Sequence, residues 1–306
     1  MKLRHAICAL SAGLAFLSNH CSASLNGSDD FNDNSKDTNR WGADIVVSGI
    51  GAFTETNQRL EYTTSSTPTP TDIIVLPWVQ SSGSYTQNWE VQIDVSVPSL
   101  AFTNASQQVF LGLVAFAGSV NNRLLIEFGQ GTSREFRAFY ATNGVRLQNI
   151  DVPTATISSA VRLSFDAGSK VLSCFYDDSG MNCGYSWTLL RAEEVGTAWG
   201  LSNTSAISIA VIGDSSLSTL VSSSNVYADN FRASSGDHPT LRINLAGSKA
   251  VLSWATNGPT SHLESTSTLS PPICWQAVTN APGIVTTNFA ITNSILSKST
   301  FYRLSR

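Results

Sequence analysis

From Trp89 to Val97 the chain alternates without a fault, with Trp89, Val91, Ile93, Val95 and Val97 on one side and Glu90, Gln92, Asp94 and Ser96 on the other. A period of two marks a β-strand of an antiparallel sheet with one buried and one wet face, because a helix would scatter these residues around its axis. The pattern recurs: Val161, Leu163 and Phe165 alternate with polar neighbours, Gly168 offers a turn, and residues 170–176 lead back. Further candidate strands cover residues 45–47, 59–63, 109–116, 123–128, 135–141, 207–212 and 226–232, and only residues 189–194 suggest a turn or two of helix. Many short strands at this spacing, separated by Gly, Asn and Ser turns, predict an all-β fold made of two antiparallel sheets packed as a sandwich.

Two matching phrases bracket this stretch. Asp29-Asp30-Phe31 opens it and Asp229-Asn230-Phe231 closes it, which predicts one domain whose first and last strands lie side by side. Inside the bracket, residues 63–71 form a Thr/Ser/Pro loop whose Pro68 and Pro70 belong outside a sheet interior. Residues 234–240 read as a linker, and strands at 241–245, 250–254, 262–266, 275–279, 289–292 and 301–304 predict a second, small β-sandwich over residues 241–306. Trp254 and Trp275 are expected in its core.

The N-terminus reads as a targeting segment. Lys2, Arg4 and His5 precede the apolar residues 6–17, and Cys21-Ser22-Ala23 is a small-x-small pattern suited to cleavage after Ala23. That places a signal peptide at residues 1–23 and the first domain at 24–233. An apolar run of about a dozen residues falls short of the roughly 20 that span a bilayer, so no transmembrane segment is expected. The mature chain is expected outside the cytoplasm, secreted or on the cell surface, as a monomer. Charged residues are 13% and the formal net charge is −4, with no basic run, which argues against nucleic acid as a partner.

Cleavage would leave Cys174, Cys183 and Cys274 of the five cysteines. A hairpin turning at Asp178-Ser179 would set Cys174 opposite Cys183, at a cross-strand separation of about 4.5–5.5 Å that a disulfide can bridge. An exported protein permits that oxidation. Cys274 is then left over, buried beside Trp275.

The opening Asp-Asp-Phe with Trp41-Gly42, the strand Arg59-Leu-Glu-Tyr62, the hairpin Leu163-Ser-Phe-Asp166 to Tyr176-Asp-Asp178 with Trp187, and the closing Val226-Tyr-Ala-Asp-Asn-Phe231 resemble the concanavalin A-like lectin/glucanase superfamily. Residues 25–235 are most similar to the laminin-G-like jelly rolls of secreted bacterial proteins. The tail resembles a small immunoglobulin- or fibronectin-like module. The resemblance implies a jelly-roll sandwich and an extracellular ligand, carbohydrate first among them. A purely structural or adhesive surface protein also fits it.

Glucanases of that superfamily place nearby acids on one strand. Here Glu90 and Asp94 share a face, but about 13 Å of strand separates them, with Gln92 between. Glu127 with Glu135, or Asp166 with Asp177, could meet only across strands. No Gly-x-Ser-x-Gly elbow, Cys-x-x-Cys or His-Glu-x-x-His occurs, and His238 and His262 are the mature chain's two histidines. These readings favour a binding protein over a hydrolase or lyase, with no catalytic residue assigned. Sugar platforms are expected at Trp78 and Trp199, which sit in loop-like contexts, with Tyr85 and Tyr140 as secondary candidates. Asp30, Asn32 and Asn34 repeat the spaced oxygens of a calcium loop, yet the sixth position lacks Gly and Trp41 stands where the bidentate Glu belongs. The resemblance instead implies a structural calcium near the paired terminal strands, with Asp30, Asn32 and Asp229 as ligands. The competing reading is that Asp and Asn here build turns.

Overall fold

The computed structural model describes residues 25–64, 68–178, 184–218, 226–236, 241–256, 261–269, 274–294 and 299–305. The signal-peptide reading therefore lies outside the described residues. The chain divides into two compact units, one holding the strands from Gly27 to Ser235, the other those from Arg242 onward together with residues 184–186. No helix occurs among the described residues.

The first unit carries β1 (Gly27–Asp29), β2 (Ile45–Ser48), β3 (Ala52–Thr56), β4 (Arg59–Thr63), β5 (Asp72–Ser84), β6 (Trp89–Ser96), β7 (Gln108–Ala117) and β8 (Ser119–Gln130). It continues with β9 (Arg134–Thr142), β10 (Val145–Arg146), β11 (Ile150–Pro153), β12 (Ser158–Asp166), β13 (Val171–Asp177), β14 (Thr188–Glu194), β15 (Ala206–Ser216) and β16 (Tyr227–Ser235). One antiparallel sheet runs β14-β13-β12-β6-β16-β4-β3, and β1 also pairs with β16; the other runs β10-β9-β8-β7-β15-β5-β2, and β11 pairs with β9. The bracket closes as expected, with Asp29 opposite Phe231 and Gly27 opposite Ala233.

Alternation builds the core between the sheets. Trp89, Val91, Ile93 and Val95 of β6 join Leu111 and Leu113 of β7, Leu124 and Ile126 of β8 and Ile209 and Val211 of β15 in one buried cluster. Phe31 and Phe231 from the two bracket phrases enter it around Trp41, whose ring centroid lies 4.8 Å from Phe231 and 4.9 Å from Trp78. The Trp41 indole N–H donates to Asp29 Oδ2 at 2.8 Å. Asp29 of the opening phrase thus anchors the core while Phe31 fills it.

Several expectations need correction. The polar face of β6 is not wet: it is a central strand, and Glu90, Gln92, Asp94 and Ser96 are all buried. Residues 189–194 belong to strand β14, not a helix. The return after β13 is also longer than a two-residue turn, because Tyr176 pairs with Thr188 and Cys174 with Arg191. Cys174 is consequently a free, buried thiol, and the bridge to Cys183 does not form. Its Sγ sits 3.7 Å from the Leu125 carbonyl oxygen, and burial pushes the thiol's pKa far up, leaving it inert at neutral pH. Cys274 is disulfide-bonded and exposed, rather than free and buried, while Cys183 lies outside the described residues.

The second unit has β17 (Arg242–Ala246), β18 (Lys249–Ala255), β19 (His262–Thr266), β20 (Gln276–Ala277), β21 (Gly283–Val285), β22 (Asn288–Ser294) and β23 (Phe301–Ser305). They form sheets β17-β18-β22-β21 and β20-β19-β23 around Leu252, Trp254, Leu263 and Ile291. Trp254 is core as expected. Trp275 is not: it is half-buried, with the Arg303 guanidinium 4.4 Å from its ring.

Candidate functional site

All four aromatic residues expected to be sugar platforms lie in the core between the sheets. Trp78 follows Pro77, but both belong to the long strand β5, and the indole packs 4.7 Å from Phe231. Trp199 is folded inward by a turn in which its N–H donates to the Val195 carbonyl at 2.9 Å, and its ring stacks on Tyr140 at 6.1 Å. Tyr85 lies against Phe165 at 5.7 Å. None of these rings offers a face to a ligand. The flanking Pro and Gly residues that suggested loops are features of a bulged strand and a tight turn.

The residues expected to hold calcium divide. Asp229 is half-buried, and its pKa is raised, first by burial and also by the nearby Asp30 carboxylate. Asp229 sits at the β-bulge where β16 leaves register with β6 between Asp229 and Arg232. Asn32 is exposed, and its N–H reaches Asp30 Oδ1 at 3.4 Å. Asp29, Asp33 and Asp37 each accept a main-chain N–H two residues on, the turn-building use of aspartate. Among the described residues no group of three or more His, Cys, Asp or Glu side chains gathers around a point.

The carboxylate pairs considered from sequence do not assemble. Asp166 pairs with Val171 and Asp177 with Ala160, at opposite ends of the β12–β13 hairpin. Glu90 faces Arg162 at 3.5 Å, and Asp94 accepts from the Asn230 amide at 2.9 Å. Glu127 stands opposite Arg137 rather than beside Glu135, which faces Gly129.

That register creates the site. The face of the second sheet turned away from the core carries its own apolar patch: Ile73 and Val75 of β5, Val114 and Phe116 of β7, Leu125 of β8, Phe139 and Ala141 of β9, and Ala210 and Ile212 of β15. Set into this patch is a cluster of charges. Arg137 Nε donates to Glu127 Oε2 at 2.6 Å, and Arg137 Nη2 donates to Asp214 Oδ2 at 2.5 Å. The side chain reaches from β9 across β8 and β7 to β15, passing 3.6 Å over the Phe110 ring. Gly112 lies on β7 between Glu127 and Ile212. A Cβ there would fall 2.0 Å from the Ile126 carbonyl oxygen, so β7 and β8 approach more closely than any other residue allows.

Glu127 and Asp214 each keep a second oxygen, Oε1 and Oδ1, that is buried and has no hydrogen-bond partner in the protein. Both residues line a small recess, a cavity of about 20 Å³, with Arg123, Leu125, Arg137, Phe139, Arg146 and Asn149. Burial pushes the Glu127 carboxyl up to about 7; Arg137 opposes this and Asp214 adds to it. Arg137, between two carboxylates, is held firmly charged. One guanidinium thus serves two acids, and near neutrality one of them takes up a proton. A second carboxyl behaves similarly elsewhere: Glu55 of β3 rises to about 7 through burial and a hydrogen bond with Asp33.

Arg137, Asp214, Arg123 and Arg146 were missed from sequence. The available signal was a charged residue inside an apolar run, as in Leu124-Leu-Ile-Glu127-Phe128 and Phe136-Arg-Ala138. A strand apolar on both faces is covered on both, so a charge within it must find a partner.

No family model and no curated protein matches the chain. Among solved structures it is similar to lectin I-B4 from Griffonia simplicifolia in its metal-free form, with a TM-score of 0.42 and 11% identity over 69% of this chain and 99% of that one. Arcelin-5, a lectin-like defence protein from Phaseolus vulgaris, gives 0.45 and 12% over 71% and 100%. The GH43 protein BlXynB from Bacillus licheniformis gives 0.45 and 10% over 69% and 39%. The all-β sandwich assignment rests on the strand registers above, and these likenesses say nothing about activity.

Proposed function

We propose that this is an exported, non-catalytic binding protein whose first unit recognises a glycan on the outer face of the second sheet, around Glu127, Arg137 and Asp214. The observation that carries the reading is the pair of buried, unpartnered oxygens, Glu127 Oε1 and Asp214 Oδ1. A buried acceptor without a donor costs about 1–3 kcal/mol, and sugar hydroxyls supply donors of the right kind. The N-terminal basic-apolar-small pattern supports export. A structural calcium on Asp30 and Asp229, with Asn32 in the same turn, belongs to the proposal; the upward push that the Asp30 charge gives the Asp229 carboxyl supports it.

The test is a glycan array probed with the mature chain and with Asp214→Asn, which keeps the shape of the side chain. Binding that is lost or weakened in the variant, with its fold confirmed by circular dichroism, is the expected result. No binding to any glycan sinks the reading and leaves a structural or adhesive role.

One observation favours a second reading, hydrolysis or elimination of a glycan. Glu127, poised near neutrality beside Asp214, has the properties of a general acid paired with a carboxylate. Release of new reducing ends from a bound glycan, abolished in Glu127→Gln, would select that alternative.

A further inference from the structure

At the edge of the first sheet two carboxyl groups face each other without a base. Glu55 lies on β3, on the same side of the strand as the core residue Phe53, and is only 6% exposed. The turns after β1 close over it. Asn34 Oδ1 accepts from the Gln58 N–H in the β3–β4 turn at 2.7 Å, and the Ser35 N–H donates to Glu55 Oε1 at 3.2 Å. The same N–H donates to Asp33 Oδ1 at 2.9 Å, so one donor serves two acids. Glu55 Oε2 is buried with no donor to satisfy it, yet the two carboxyls lie within hydrogen-bonding reach of each other. Ionised carboxylates only accept, so that contact needs a proton or a cation between the oxygens.

No basic side chain pairs with either acid among the described residues. Lys36 is bonded to Asp44 at 2.8 Å, Arg40 to Asp37 at 3.1 Å and Arg59 to Glu61 at 2.7 Å. Asp29 adds a third negative charge nearby, but its two oxygens are taken by the Phe31 N–H and the Trp41 indole. Burial first, and then the Asp33 contact, push the Glu55 carboxyl up to about 7. Each of the facing acids thus has one oxygen left to give.

Two protein oxygens are few for calcium, which takes about 6–8, whereas magnesium keeps several waters and is bound through one or two carboxylates at about 2.0–2.1 Å. Adjacent ligands of such an octahedral ion lie about 3 Å apart, close to the spacing of two hydrogen-bonded oxygens. Asp33 is exposed, so the hydrated side of the ion has access to solvent.

We infer that Asp33 and Glu55 hold a partly hydrated magnesium ion that fastens the turns after β1 to strand β3. The ion uses neither Asp30 nor Asp229, the residues proposed for calcium, and does not depend on the glycan reading.

The experiment is titration calorimetry of the chelator-treated mature chain with magnesium chloride at pH 8, where Glu55 has released its proton, and a parallel titration with calcium chloride. Expected is a saturable magnesium isotherm that Glu55→Gln and Asp33→Asn each weaken about tenfold or more, by removing one of two charged ligands, and that Asp229→Asn leaves unchanged. Both amides keep an acceptor for the Ser35 N–H, so the variants should melt with the wild type in chelator. Asp33→Asn, at an exposed position, reads the site even if Glu55→Gln melts lower. No saturable magnesium isotherm, or one indifferent to both variants, overturns the assignment and leaves a carboxyl pair sharing a proton. Calcium binding lost in the same two variants, with magnesium silent, overturns the choice of ion.

Discussion

Replacing Glu127 by glutamine should flatten the dependence of stability on pH between the acid and neutral ranges. In the folded chain the carboxyl is pushed from 4.5 up to about 7, first by burial. Between those values the folded state holds a proton that the unfolded state has released. The stabilising contribution is therefore fully present below about pH 4.5 and is lost as pH rises through 7. At about 1.36 kcal/mol per pKa unit, the wild type loses as much as about 3 kcal/mol over that window. For a unit of this size that corresponds to roughly 6–12 °C in Tm. Glutamine fills the same space, still accepts from Arg137 and does not titrate. Glu55 titrates in the same direction in both proteins and cancels from the difference. Scanning calorimetry of both proteins at pH 5 and pH 8 reads the effect: similar melts at pH 5, and a wild type that has lost stability relative to Glu127→Gln at pH 8. Parallel pH profiles, or a variant that melts lower only at pH 8, would mean that Glu127 is ionised throughout and that its charge pairing with Arg137 outweighs burial.

Two further predictions concern residues with competing roles. Trp78→Ala removes a fully packed core indole and should cost about 3–5 kcal/mol, lowering Tm by roughly 10 °C while leaving ligand affinity at low temperature unchanged. Native melting with lost binding would return Trp78 to the ligand site. For the terminal-strand calcium, millimolar calcium in place of chelator should raise the wild-type Tm by an amount equivalent to roughly 2 kcal/mol, and Asp229→Asn should abolish the rise. Equal melts with and without chelator would leave Asp30 and Asp229 as turn and bulge residues.

What was legible in the sequence follows from what alternation can encode. Trp89 to Val97 specifies a strand and its inward face, and the paired phrases ending in Phe31 and Phe231 specify which strands close the sandwich; both are found. Alternation does not reveal whether the other face is covered. For β6 it is, so Glu90 and Asp94 became buried structural groups rather than an exposed acid pair. Exposure of aromatics was misjudged for the same reason. Pro77 and Gly196 suggested loops around Trp78 and Trp199, but a proline tolerated within β5 and a turn closing on Val195 both direct their indoles inward.

The site was hidden for a different reason. Its members lie on β8, β9, β10 and β15, and what joins them is register: Glu127 opposite Arg137, and Arg123 and Arg146 both opposite Ala141. A one-residue slip of β9 against β8 would move Arg137 to the core face and separate every pair, so the recess exists only if the whole sheet is correctly paired. Gly112 permits the close approach of β7 to β8 that this pairing needs. A charged residue buried within an apolar strand is costly unless cross-strand partners receive it. Here three strands supply those partners and still leave two acceptor oxygens unpaired.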